Sequence, residues 1–290
     1  MYVCPRTGGP LKDWHSRDGH VTYPLIDGVP ILVADPVGVL ATHPPRVAHE
    51  ASVVRLGVPD AITPHLAPSM FGAPGGFGQW LTTLGDQSPD QVAAGFAHKL
   101  APNRGRALDV GCGVGAMARR MAVMGWETWA FDRSVDAVLL ARGMLTGGLT
   151  QATIPTSRRG IRRVKVPFKV IPAGLNFCVA DATRPPFAPD TFGWVHLGDV
   201  LDSLGEELAD GLVAAAGVLQ RGGILTINTC YGASGEVSEG GAPPEEELLE
   251  ALDALGLQLV EQQDRIPHVS RVYDRSFQVR FFHVLVARKR

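Results

Sequence analysis

An α/β fold, built on a parallel sheet with helices on both faces, is predicted by three features of this sequence. From residue 105 onward, strand-like apolar runs alternate with helix-forming runs. Near the start of that alternation, Ala107-Leu108-Asp109-Val110 breaks into glycines at alternate positions, Gly111, Gly113 and Gly115, and a helix-forming stretch from Ala116 to Met124 follows at once. The chain closes on two further strand-like runs separated by a polar stretch that reads as a loop, which fits an antiparallel pair.

Composition bounds the answer without choosing it. At 290 residues the chain holds one large domain, or a domain of about 180 residues beside a smaller one. With 45% hydrophobic and 19% charged residues it can build a real core. A net charge of −2 gives no global attraction to nucleic acid or an anionic membrane. No stretch reads as a signal peptide or a membrane span. Cys4, Cys112, Cys178 and Cys230 are scattered, and read as reduced thiols in a cytoplasmic protein rather than a disulfide framework.

Residues 1–35 read as a small β-rich module. Cys4-Pro5-Arg6-Thr7-Gly8-Gly9-Pro10-Leu11 opens it, Tyr23-Pro24-Leu25-Ile26-Asp27-Gly28-Val29-Pro30-Ile31-Leu32-Val33 closes it, and proline and glycine punctuate its short strands. These end motifs resemble the zinc-ribbon-like proteins that activate certain tRNA and protein methyltransferases. Structural zinc needs paired Cys-x-x-Cys ligands, and here Thr7 stands in the partner position, so no metal is expected; His15 and His20 do not complete a set. Residues 36–87 are rich in Pro, Gly and Ala and read either as a linker wrapped on the main domain or as a lid over a site.

The main domain occupies residues 88–290. Ser88-Pro89-Asp90-Gln91 reads as a helix cap with proline at the first helical position, starting a helix to about Leu100. Strands are expected at 107–110, 128–131, 176–180, 194–197, 224–228, 258–262 and 278–286. Helices are expected at 116–124, 135–145, 206–219 and 245–255. No Asp or Glu occurs between Asp136 and Asp181, while Arg158, Arg159, Arg162, Arg163, Lys165 and Lys169 do. Roughly 146–174 therefore reads as a basic insertion and a candidate β-hairpin: a solvated flap, or a contact for a carboxylate, a phosphate or a nucleic-acid backbone.

Alternate glycines let a backbone adopt positive φ and approach a ligand closely, next to the exposed N–H groups of a helix start. Gly111, Gly113 and Ala116 also satisfy the loose G-x-G-x-x-G/A dinucleotide fingerprint. Asp109, two residues ahead of the first glycine, separates the readings. Leu108-Asp109-Val110-Gly111-Cys112-Gly113-Val114-Gly115 resembles the first motif of class I S-adenosylmethionine (SAM) methyltransferases. The resemblance implies a Rossmann-like, seven-stranded mixed sheet with five parallel strands and a terminal antiparallel pair, and SAM as cofactor. Asp132 ends the second strand, where an acid can take both ribose hydroxyls. In class I enzymes the acid at the place of Asp181 receives the adenine amine, and the next N–H, here Ala182, meets a ring nitrogen. Asp109 would hold the network at the methionine end; Cys112 in the glycine turn and Arg133 after Asp132 complete the cofactor set. A nicotinamide oxidoreductase uses the same strand–glycine–helix device, but Asp109, Asp181-Ala182 and the closing strand pair argue against it.

On the substrate side, Asp199 follows the fourth strand, where class I enzymes place a residue facing the methyl; it also reads as the N-cap of a short helix. His196 reads as a core histidine, and Tyr231 as a residue that orients a substrate or covers the pocket. Asp264, Pro267, Arg271, Arg275 and Gln278 resemble the matching region of the mercaptohistidine N-methyltransferase domains of ovothiol biosynthesis. Asp199 departs from that pattern where an amide is expected, and Ser203 where an arginine is expected. The resemblance implies a small amino-acid-like or imidazole substrate, with Arg271 or Arg275 clamping a carboxylate. The functional expectation is therefore SAM-dependent methyl transfer to a small polar metabolite, at nitrogen or else sulfur or oxygen. The alternatives are an RNA or protein methyltransferase that docks through the module and the basic insertion, and a non-catalytic SAM-binding partner subunit.

Overall fold

The computed structural model describes residues 2–42, 88–101, 103–146, 151–157, 160–165, 173–232, 244–273 and 276–290. Of the linker or lid, Pro36–Thr42 forms a short helix, α1, and 43–87 lie outside the described residues. Ser88 opens α2 (Pro89–Leu100) with a reciprocal cap: its side chain accepts from the Gln91 N–H, and Gln91 accepts from the Ser88 N–H at 2.7 Å.

The central strands are β3 (Arg106–Val110), β4 (Glu127–Asp132), β7 (Leu175–Val179), β8 (Phe192–Gly198) and β9 (Leu219–Thr229), closed by β10 (Leu257–Tyr273) and β11 (Ser276–Lys289). They form one seven-stranded sheet in the order β10-β11-β9-β8-β3-β4-β7. The five strands from β9 to β7 run parallel, while β11 and β10 are antiparallel, as the class I resemblance implies. Parallel strands covered on both faces must be apolar on both, and Leu108, Val110, Val195 and Leu197 on one side and Ala107 and Trp194 on the other are buried.

Helices α2, α3 (Ala116–Val123) and α4 (Val135–Leu145) cover one face; α6 (Leu208–Val218) and α7 (Pro244–Ala254) cover the other. The helix expected from Glu206 begins later, after a four-residue α5 (Leu201–Leu204) and a tight turn over Gly205–Glu207. The basic insertion does contain a hairpin, β5 (Gln151–Pro155) with β6 (Ile161–Lys165), paired apart from the main sheet.

The N-terminal segment forms a two-residue hairpin, β1 (Leu25–Ile26) with β2 (Val29–Pro30), and then flanks the sheet. Ile31 pairs in parallel with Val179, and the Leu32 N–H donates to the Val179 carbonyl at 2.7 Å. This covers the exposed edge of β7, a place where an unpaired strand invites association. Tyr23 and Leu32 are buried in the same core as Phe131 and Phe192. Cys4 Sγ lies 3.0 Å from the Tyr23 hydroxyl, so its partner is a buried phenol.

One expectation is corrected. The polar stretch between 262 and 278 is not a loop: β10 runs on to Tyr273 and β11 starts at Ser276. Only His283–Arg288 of β11 pair with β9, so the rest of the hairpin continues as a two-stranded ribbon past the carboxyl end of β9. A ribbon outside the sheet has no layer to cover it, and so needs no apolar alternation. Register shifts at Leu259/Glu261 and Gln263/Ile266, with Arg265 at φ +56°, bend it.

Candidate active site

The carboxyl ends of β3, β4, β7, β8 and β9 open into a cleft of about 590 Å³, and the β10–β11 ribbon contributes His268, Arg280 and Phe282 to its wall. Ligands of open α/β sheets bind at this edge.

The glycine turn shapes the floor. Gly111, Gly113 and Gly115 have φ of +67°, +51° and +84°, a region that disfavours side chains. They do different work. A Cβ on Gly111 would lie 2.0 Å from Val200 Cγ2, and one on Gly115 would meet Leu145 Cδ1 at 2.9 Å, so both permit close packing. Gly115 does not line the cleft. Gly113 does, and a Cβ there would meet no protein atom within 4 Å. Asp132, at the end of β4, fastens this turn: Oδ2 accepts from the Gly113 N–H at 3.0 Å, and Oδ1 accepts from the Ser134 N–H at 2.8 Å. Each oxygen keeps a further lone pair, and Asp132 lines the cleft.

Asp109 is buried under the turn, where Oδ2 accepts from the Ala118 N–H at 2.8 Å in the first turn of α3. Burial, reinforced by the charges of Asp90 and Asp132, pushes its carboxyl well above the usual range. Cys112 is buried beside it, and burial raises its thiol as well. Arg133, Asp181 and Ala182 line the cleft beyond β4 and β7. Asp181 Oδ1 accepts from both the N–H and the hydroxyl of Thr183, at 2.9 and 2.8 Å.

The opposite wall is polar. Asp199 sits at φ +58° with its N–H on the Asn228 carbonyl, and it does not cap α5, whose first position follows Val200. Its carboxylate takes Arg280 Nη1 at 3.2 Å and Nη2 at 2.6 Å. Burial alone would lower the Arg280 guanidinium, but the Asp199 pair outweighs it and holds the group above its ordinary value. The guanidinium lies over the Phe282 ring at 5.0 Å, and His268 meets the same ring edge-on. Sequence reading missed Arg280. Its signal was a lone charge inside the expected 278–286 strand, on the same strand face as Phe282, Val284 and Val286.

His196 is a buried histidine, as expected: Nδ1 lies 2.8 Å from Thr226 Oγ1, and burial lowers its pKa to about 3, which keeps it neutral. Asn228 is 2% exposed; its Nδ2 donates to Asp90 Oδ1 at 3.0 Å, and its Oδ1 has no partner among the described residues. Asp199, Asp202 and Cys230 place three possible metal-ligand atoms within 4.8 Å, but protein donors already engage both acids.

Tyr231 does not reach the cleft. Its hydroxyl lies 2.8 Å from Nδ1 of buried His283, tying the end of β9 to β11, and burial raises its phenol. Tyr231→Phe should therefore cost about 1 kcal/mol of stability and leave SAM affinity within twofold, as denaturation and calorimetric titration would show. Arg271 pairs with Phe277 in the ribbon, three positions from the His268–Arg280 pair; Arg275 lies outside the described residues.

Residues 108–227 match the model of a methyltransferase domain family. The chain carries a methyltransferase domain. The domain's cofactor is SAM, and the glycine turn, the open space over Gly113 and the strand-end acids fit it. No curated protein matches the chain in sequence. Among solved structures, it is similar to magnesium protoporphyrin IX methyltransferase from Synechocystis with bound SAM, at 14% identity and TM-score 0.50, covering 84% of this chain and 99% of that one. A SAM-dependent methyltransferase from Methanosarcina mazei aligns at 17% identity and TM-score 0.46, covering 67% and 96%. The 1,6-didemethyltoxoflavin-N1-methyltransferase of Burkholderia thailandensis aligns at 16% identity and TM-score 0.46, covering 73% and 83%. At 14% identity the protoporphyrin methyltransferase structure speaks for the fold alone. Among the described residues, no helix is long and apolar enough to cross a membrane.

Proposed function

We propose that this methyltransferase domain modifies a small polar molecule, with nitrogen the favoured acceptor. The carrying observation is that one cleft runs from Asp132 and Asp181 to Asp199 and Arg280. Its volume falls within the roughly 300–1,000 Å³ of small-ligand sites, room for a nucleoside cofactor and a small partner. In this reading Asp132 takes the ribose hydroxyls, and Asp181 with the Ala182 N–H takes the adenine edge. The Gly111–Gly113 turn and Asp109 take the methionine end, with Cys112 and Arg133 alongside. Bound SAM would supply an activated methyl group, and the acceptor nitrogen would take it on its own lone pair, leave the sulfur its bonding electrons and shed a proton to water.

The protein's task is then alignment and exclusion of water. The acid near the transfer end suits that task. Asp199 is neutralised by Arg280, so it is not a strong base. A nitrogen acceptor, which carries its own lone pair, needs none.

The second reading, an RNA or protein substrate, draws on exposed Arg162, Arg163 and Lys165 of the β5–β6 hairpin. Incubation with methyl-labelled SAM and a cell extract, then division into small-molecule, RNA and protein fractions, tests both. Label among small molecules supports the proposal. Label in RNA or protein replaces it with docking through the hairpin, and label nowhere despite SAM binding favours a non-catalytic partner subunit.

A further inference from the structure

Two residues that line the cleft each carry a buried polar atom with no partner among the described residues. One is Arg280 Nε, a donor; the other is Asn228 Oδ1, an acceptor. Buried groups left unpaired are costly, and sites that leave them so select ligands that complete them. We infer that the methyl acceptor is zwitterionic, an amino acid or close derivative, with its carboxylate on Arg280 and an N–H group on Asn228 Oδ1. This deepens the small-molecule reading and rests on it.

The Arg280 geometry is specific. Asp199 occupies the end of the guanidinium through Nη1 and Nη2. That leaves the side edge, Nε with an adjacent Nη, which is the other fork that binds a carboxylate through two parallel hydrogen bonds. Phe282 under the guanidinium fixes its plane, and Asp199 offsets its charge while the site is open. Arg280 thereby takes the role that the sequence suggests for Arg271 or Arg275. Asn228 is equally constrained. Its Nδ2 is held by Asp90, and a flipped amide would set Oδ1 against the Asp90 carboxylate, so the oxygen must be the free end. An anion-binding fork and a neutral acceptor on one wall match a molecule carrying both a carboxylate and an amine-type donor. A simple amine satisfies only half of this pair, and so does a simple acid.

The test starts from the labelled product of the small-molecule fraction, identified by mass spectrometry. It should carry both a free carboxylate and an N–H group. With the unmethylated form as substrate, Arg280→Lys, which keeps charge but loses the fork, should raise KM at least tenfold, and Asn228→Ser should do likewise. Both should leave the calorimetric Kd for S-adenosylhomocysteine within twofold. A product without a carboxylate, or an unchanged KM in Arg280→Lys, overturns the inference while methyl transfer to small molecules stands. A weakened S-adenosylhomocysteine Kd in Asn228→Ser would assign that amide to the cofactor and overturn the amine half. Label confined to RNA or protein sinks the small-molecule reading itself, and this inference with it.

Discussion

Gly113→Val is expected to raise the Kd for SAM at least about a hundredfold, close to 3 kcal/mol, while the protein still folds. Gly113 separates binding from folding because its surroundings are empty of protein: a Cβ there meets nothing within 4 Å, and the residue lines the cleft. The side chain would therefore project into the cleft, where the proposed function puts the cofactor, rather than collide with the core. A β-branched residue at φ +51° also costs on the order of 1–3 kcal/mol of local strain. Relief of that strain would pull the Gly113 N–H from Asp132 and loosen the acid read as the ribose acceptor. The neighbouring glycines cannot serve, since side chains at Gly111 or Gly115 would strike Val200 or Leu145 and confound folding with binding. Calorimetric titration alongside circular-dichroism melting measures both quantities. An unchanged Kd in a folded variant would place the cofactor elsewhere.

The meeting of the glycine turn and the strand-end acids in one cleft was legible in the sequence because its signals are local. Three alternate glycines, an acid two residues earlier and acids at successive strand ends each follow from backbone geometry within a few positions. The α2 cap was legible for the same reason, since Ser88, Pro89 and Gln91 form a complete start signal within four residues. The polar wall was not legible. Asp199 meets Arg280 across 81 positions, and Asn228 meets Asp90 across 138. No periodicity reports such pairs. The ribbon misled for a further reason: strand reading depends on one face being buried, and beyond His283 β11 has only β10 beside it, so Pro267 and the flanking charges imitate a loop.

Asp109→Ala is expected to lose both SAM binding, by at least tenfold, and about 1–3 kcal/mol of stability through an orphaned buried N–H. Asp109 Oδ2 is the partner of the buried Ala118 N–H in the first turn of α3, so its removal strands that donor. The Asn variant separates shape from charge, because its amide oxygen can still accept from Ala118. Burial comes first, and the charges of Asp90 and Asp132 add to it, in raising the Asp109 carboxyl well above its ordinary value. The folded state therefore holds this proton more tightly than the unfolded chain does. Where the folded state binds more protons, stability falls as pH rises. In the ligand-free protein the Asp109 contribution is thus fully favourable below the ordinary carboxylate range and is lost progressively above it. Asp109→Asn carries no such proton and should flatten that part of the decline, so its stability relative to the parent should improve with rising pH. Denaturant midpoints taken over a pH series measure this directly. If the Asn variant kept a constant offset from the parent at every pH, Asp109 would be an ordinary helix cap, and the charge conflict around it would have no energetic weight.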